Sequence, residues 1–222
     1  MASVTSVVLK PGPPARTAHA FVYETLRRAI LGGDLPLGYR LVQADIAAQL
    51  KVSITPVREA LRDLAGEGLI RIDAHKGAML REFDLSEVRE IYELRRMLEP
   101  VSIRKAVERI TDEEIDLAEG LLRQMRDELD PGEWVELNRR FHAVFGDAAG
   151  SPRLCAILKG LRDGAAVYVG LSLRGQERAR RDEADRDHRE LVTAFRRRRA
   201  EEAVRIVLRH LDATMTALER LA

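Results

Sequence analysis

His142, His188 and His210 each fall on or beside an apolar stripe with helical spacing. His142 neighbours Phe141 and Phe145 and follows Asn138 by four residues, which puts amide and imidazole on one helix face. His188 aligns with Leu191, Val192 and Phe195, and His210 with Ala203, Ile206, Val207 and Thr214. Three imidazoles and an amide oxygen, brought from different helices into a bundle core, can hold one divalent cation. The same spacing also fits three histidines satisfied inside a core without any ion. No H-E-x-x-H stands in the chain, and no Glu or Asp is evidently positioned as a base beside the histidines.

A second chemistry lies in Val52-Ser53-Ile54-Thr55-Pro56-Val57-Arg58-Glu59-Ala60-Leu61-Arg62-Asp63-Leu64. Val57, Ala60, Leu61 and Leu64 make the buried stripe of a helix, and Thr55, Arg58 and Arg62 share its opposite face. Ser53 or Thr55 caps the start, and Pro56 stands in the first turn, where a missing N–H costs nothing. Arginine can fork onto guanine O6 and N7, and threonine can touch a phosphate or a thymine methyl. An ordinary solvated arginine face reads the same way from spacing alone.

The elements that would carry these residues follow from start and stop signals. A helix from Thr17 is ended by Gly32-Gly33-Asp34, a short one covers about 43 to 50, and a third carries the arginine face until Gly66-Glu67-Gly68. Residues 69–72 and 78–81 predict a hairpin whose tip, His75-Lys76-Gly77, can reach a phosphate or the minor groove. Three helices followed by a hairpin is the plan of a winged helix-turn-helix, with the third helix in the major groove. Beyond Phe83, capping signals at Asp84-Leu85-Ser86-Glu87 and Thr111-Asp112-Glu113-Glu114 open a run of six predicted helices. These span about 86–109, 112–129, 133–148, 152–172, 177–197 and 200–221, an antiparallel bundle. The expected class is mainly α: a flexible tail over 1–15, a winged helix-turn-helix over 16–82 and an all-α antiparallel helical bundle over 83–222.

Composition agrees with that plan. Charged residues at 33% with 5% aromatics among 222 residues suit a charge-laced helical protein rather than a disordered one. Residues 1–82 carry 11 Lys and Arg against 8 Asp and Glu, and the remainder 26 against 28, so the basic third is the one with the arginine face. The lone Cys155 excludes an intrachain disulfide and suits a reducing cytoplasm. No apolar run approaches the roughly 18 residues of a membrane span, and no membrane partner is expected.

The run from Leu50 to Leu64, continued by Glu67-Gly68-Leu69-Ile70, resembles the DNA-binding signature of GntR-type bacterial transcription regulators. That resemblance implies operator DNA as partner, with Ser53, Thr55 and Arg58 matching contact positions of the recognition helix and His75 and Gly77 the wing tip. Ile54 and Ala44 stand where other members carry arginine, so a different operator is implied. Residues 83–222 resemble the helical ligand-binding and dimerisation domain of the FadR-type branch, and six helices resemble its VanR-like subgroup. Metal-binding members carry D/N-x-x-x-H and two later histidines, which Asn138, His142, His188 and His210 match. Zinc is the first choice of metal, with nickel or manganese as alternatives. The neutral Asn138, in place of the commoner aspartate, leaves the ion more positive toward an anion, and a small carboxylate effector is implied. Arg95 matches an arginine that points into the pocket of such domains; pairing with Glu99 one turn on is its other reading. The resemblance implies a homodimeric, metabolite-responsive repressor in the bacterial cytoplasm, acting at the nucleoid, and not an enzyme. Two rival readings are a helical-bundle metalloenzyme and a metal-free regulator of an acyl-type ligand.

Overall fold

Thr17 opens the first helix, its Oγ1 accepting from Ala20 N at 3.1 Å, and the helix α1 runs Ala18–Leu31 until Gly32 and Gly33. The computed structural model describes residues 7–12, 15–73, 77–82 and 84–220, with the backbone alone for 172–180. Strand β1 (Arg40–Leu41) leads into α2 (Gln43–Leu50), α3 (Ile54–Gly66) and the antiparallel pair β2 (Ile70–Asp73) and β3 (Gly77–Leu80). The register runs from Ile70 opposite Leu80 to Asp73 opposite Gly77, so the predicted hairpin forms. A third strand joins it: β1 pairs β3 through Arg40–Met79 and Leu41–Ala78, in the order β1-β3-β2. Two residues are too few to show strand alternation, which hides β1 from sequence reading.

Ser53 is the N-cap of α3, but its side chain makes no capping hydrogen bond. The helix starts at Ile54, so Pro56 is the third residue and lacks the N–H that a capping hydroxyl there would accept. Thr55 lies inside the helix, so neither hydroxyl serves as a cap.

Beyond the wing the chain is helical: α4 (Leu85–Arg109), α5 (Asp112–Asp127), α6 (Pro131–Ala148), α7 (Pro152–Arg196) and α8 (Ala200–Glu219). Thr111 and Glu114 close a full capping box at α5, and Asp130 caps α6 through Glu133 N at 2.9 Å. The six predicted helices become five, because 152–172 and 177–197 are one 45-residue helix. Gly175 lies between the two predicted spans, but a lone glycine costs about 1 kcal/mol, and Arg, Glu and Ala around it favour helix. Part of the expected tail is also packed: Leu9 is buried, its N–H donates to Gln49 Oε1 at 3.1 Å, and Gly12 N donates to Thr25 Oγ1 at 2.9 Å.

The two halves meet where α1 crosses α6 and α7. Gly132 and Gly170 permit the approach, since a Cβ on Gly132 would lie 2.5 Å from Arg28 O and one on Gly170 would overlap Leu31 O. Gly132→Ala is therefore expected to cost about 1 to 3 kcal/mol of stability. Gly160, where a Cβ meets nothing within 4 Å, should gain up to about 1 kcal/mol on the same change. Denaturant unfolding of the two variants, side by side, checks the opposite signs.

Candidate metal centre and nucleic-acid interface

The three histidines converge from three helices: His142 from α6, His188 from α7 and His210 from α8. Their ligand-capable nitrogens all lie within 4.8 Å of one another, and the ring centroids are 4.9 to 5.4 Å apart. Phe141 backs His188 at 4.6 Å. Burial, and then the neighbouring His188 and His210, push the His142 pKa well below its ordinary value, so the ring is neutral with a lone pair to offer. One turn before it, Asn138 Oδ1 is buried and has no hydrogen-bond partner among the described residues. A buried carbonyl oxygen without a donor is costly, and a cation beside it would relieve that cost. The donor set fits a divalent ion of the zinc or nickel type, which takes imidazole and oxygen ligands together.

His210 is oriented from behind. Its Nδ1 lies 3.3 Å from Asp187 Oδ2, while Asp187 Oδ1 accepts from Arg209 Nε and Nη2 at 3.0 and 2.6 Å. Burial raises the Asp187 pKa, and the hydrogen bonds from His210 and Arg209 together outweigh it, leaving the carboxylate ionised. Asp187 is a carboxylate beside the histidines that the sequence reading did not mark, and it orients His210. Asp187 is adjacent to His188 in sequence yet serves His210, a pairing that only the packing of α7 on α8 creates.

Asn138, His142 and His210 open on a small cavity of about 50 Å³, whose wall also holds Tyr92, Trp134, Arg95 and Arg162. Arg95 lines the cavity, and its Nε and Nη2 donate to Glu99 Oε1 at 3.3 Å, a pair that is buried and not at the surface. Arg162, which no sequence signal marked, reaches the same carboxylate from α7 at 3.1 and 2.6 Å. Burial raises the Glu99 pKa, but the charges of Arg162 and Arg95 prevail and hold it below the ordinary carboxylate range. Two guanidiniums thus share one carboxylate, and the wall keeps a surplus positive charge.

On α3, Ser53, Thr55, Arg58 and Arg62 are all exposed, opposite buried Val57, Ala60, Leu61 and Leu64. Ile54 stands beside them, 48% exposed. Gly77 opens β3 with φ +78°, a backbone that favours glycine, and is exposed. His75 and Lys76 lie outside the described residues.

The two regions are joined through charge. Glu67, the C-cap of α3, accepts from Arg27 Nε at 3.1 Å and from the Tyr23 hydroxyl, and Arg27 Nη1 pairs with Glu136 on α6. Arg139, which lines the cavity, donates to the same Glu136 at 2.9 and 2.8 Å.

A winged helix-turn-helix joined to a helical domain is the plan of a DNA-binding transcription regulator. Residues 18–80 match the family described as bacterial regulatory proteins, gntR family, and residues 90–213 match the FCD domain. The chain belongs to the GntR family of transcription regulators, in the branch that carries a C-terminal FCD domain. It is 27% identical over 194 residues, 86% of either chain, to the uncharacterized HTH-type transcriptional regulator YdhC of Bacillus subtilis. It is 39% identical over 107 residues to the Nta operon transcriptional regulator of Aminobacter aminovorans, 47% of this chain and 51% of that one. Among solved structures, Escherichia coli McbR/YncC superposes with a TM-score of 0.77 over 93% of this chain and 99% of the other, at 22% identity. A GntR family member from Pseudomonas syringae pv. tomato is 30% identical, with a TM-score of 0.56, over 97% of this chain and 90% of the other. The family and these relatives are regulators and not enzymes. Among the described residues no helix is long and apolar enough to cross a membrane.

The Arg27 side chain is 6% exposed, and its carboxylate partners are each 21% exposed. Arg27→Met leaves Glu67 and Glu136 without that guanidinium and is expected to cost about 3 kcal/mol. Arg27→Lys keeps the charge and should lose less, because only the fork is gone. Chemical denaturation of both variants reads the difference.

Proposed function

We propose that this protein is a metabolite-responsive repressor whose C-terminal domain holds a divalent metal ion and a small carboxylate effector. The observation that carries the reading is the meeting of three imidazoles, beside an unpaired buried amide oxygen, on a cavity with surplus arginine charge. Asn138, His142, His188 and His210 would hold the ion, zinc before nickel or manganese. When bound, the metal supplies a positive charge at the cavity floor that attracts an anion. Arg95 meets the other end of the effector through a forked contact. The donor set holds no carboxylate, so metal and wall together favour a ligand of negative charge over a neutral one.

Thr55 and Arg58 read base edges in the major groove, Ser53 and Arg62 contact the backbone beside them, and the wing tip His75-Lys76-Gly77 reaches a phosphate or the minor groove. Two copies of the chain place two such domains on a pseudo-palindromic operator. The effector enters the wall that carries Arg139, and Arg139 shares Glu136 with Arg27, which holds the end of α3 through Glu67. A shift of α6 on effector binding thereby bears on the recognition helix, with a coupling of about 1 to 3 kcal/mol.

Metal analysis of purified protein should find close to one ion per chain, and none in the His142, His188 and His210 triple alanine variant; full retention in that variant sinks the site. Asn138→Asp should tighten metal retention against a chelator, by adding a charge to the donor set. Arg58→Ala should lose about 1 to 3 kcal/mol of discrimination at one base pair, read by gel shifts at fixed salt. In thermal-shift screening, a carboxylate that stabilises the native chain should fail to stabilise Arg95→Ala.

A further inference from the structure

A second cavity lies between α5, α6 and α7 and, among the described residues, shares only Trp134 with the wall that carries Asn138, His142 and His210. At about 560 Å³ it is far roomier than its neighbour and falls in the size range of small-molecule sites. Buried Leu122, Met125 and Trp134 make its apolar side. Leu129 stands with them 88% exposed, more than any other large apolar side chain among the described residues.

The polar side comes from α7. Arg181 lies over the Trp134 ring at 5.8 Å, and its Nη1 donates to the Glu128 carbonyl at 2.8 Å. Its Nε and Nη2 are buried and have no hydrogen-bond partner among the described residues. These two nitrogens form one edge of the guanidinium, whose parallel N–H bonds fit both oxygens of a carboxylate. A buried donor left unpaired is costly, and a charged one more so. One turn on, Asp185 Oδ2 accepts from Arg189 Nη2 at 2.9 Å, while Asp185 Oδ1 is buried without a partner. Side chains four apart leave a helix on one face, so a cationic fork and an anionic oxygen stand side by side on this wall.

The balance of charge selects the occupant. Arg126 and Arg181 line the cavity together with Glu128, Asp182 and Asp185, so a simple anion would fill the fork but face three acids. A simple amine would fill Asp185 Oδ1 and leave the fork bare. A carboxylate and an ammonium on one carbon answer both, and that is the head of an α-amino acid. We infer that this cavity binds a free α-amino acid with a large apolar side chain. Arg181 grips its carboxylate, Asp185 accepts from its ammonium, and Leu122, Met125 and Leu129 cover its side chain. The site is separate from the proposed metal centre and borders it through Trp134 and His188.

Trp134 is the one tryptophan of the chain, so its fluorescence reports on the cavity directly. Titration of the native chain with L-leucine or L-phenylalanine at millimolar concentration should give a saturable change. Isocaproate and isoamylamine carry the leucine skeleton with the carboxylate alone or the ammonium alone, and each should bind more than about tenfold more weakly. Arg181→Gln and Asp185→Asn should each weaken the leucine response by a similar factor. Silence of the native chain toward both amino acids, in fluorescence and in titration calorimetry, overturns the proposal. So does isocaproate that binds as tightly as leucine. A leucine response unchanged in both variants puts the amino acid elsewhere, the metal included, and overturns this site while the metal reading stands. Should Arg181→Gln fail to fold, Asp185→Asn and the two truncated probes still decide.

Discussion

A single buried guanidinium, that of Arg27, holds the two halves of this regulator in register. It lies on α1 and reaches Glu67 at the end of the recognition helix and Glu136 on the first helix that carries metal-type donors. A buried arginine with only one carboxylate would be poorly compensated; with two it is compensated, but only while both domains keep their places. The close backbone passage at Gly132 and Gly170 makes the same demand sterically, because any loosening there would separate Arg27 from Glu136. Apolar burial alone would let α1 slide on α6, since such contacts are non-directional. The charge network gives the interface a direction.

The bundle core repeats the device with a different balance. Glu99 is buried and receives both Arg95 and Arg162, so one carboxylate neutralises one of two cations. Around Arg27 two acids, Glu67 and Glu136, meet two bases, Arg27 and Arg139; around Glu99 the bases outnumber the acid. The first arrangement keeps an interface closed, whereas the second leaves an appetite for an anion at the cavity wall. Their proximity on α6 and α7 sets the fixed ion pairs of the domain contact beside the unmatched charge of the pocket.

Much of this was legible in residue order, for identifiable reasons. Capping chemistry is local, so Thr17, Asp84, Thr111 and Asp130 each mark a helix start that the fold keeps. The inward histidines were legible because each lies on an apolar stripe, which fixes its face before any packing is known. What stayed hidden needs three dimensions: Arg162 is 63 residues from Glu99, and Asp187 reaches a histidine 23 residues away rather than its neighbour. The continuity of α7 was hidden for an opposite reason. A glycine in a charged stretch looks like a boundary, but without proline or a cap its local cost is small against 45 residues of helix. Strand β1 was too short to show any period at all.

Pro56 shows how a local rule and a site can share one residue. At the third position of α3 it removes the N–H that Ser53 would otherwise cap, so the Ser53 hydroxyl is left outward with Thr55 and Arg58. The helix forgoes a side-chain cap worth about 1 kcal/mol. Proline offsets part of that loss by fixing its own φ in the helical range before folding. The start of α3 is therefore held by the backbone, which leaves the exposed Ser53, Thr55 and Arg58 side chains uncommitted at that end. Glu67 closes the other end of the same helix onto Arg27. One end of α3 thus goes without a side-chain cap, while the other is fastened through Arg27 to α6 by charged hydrogen bonds.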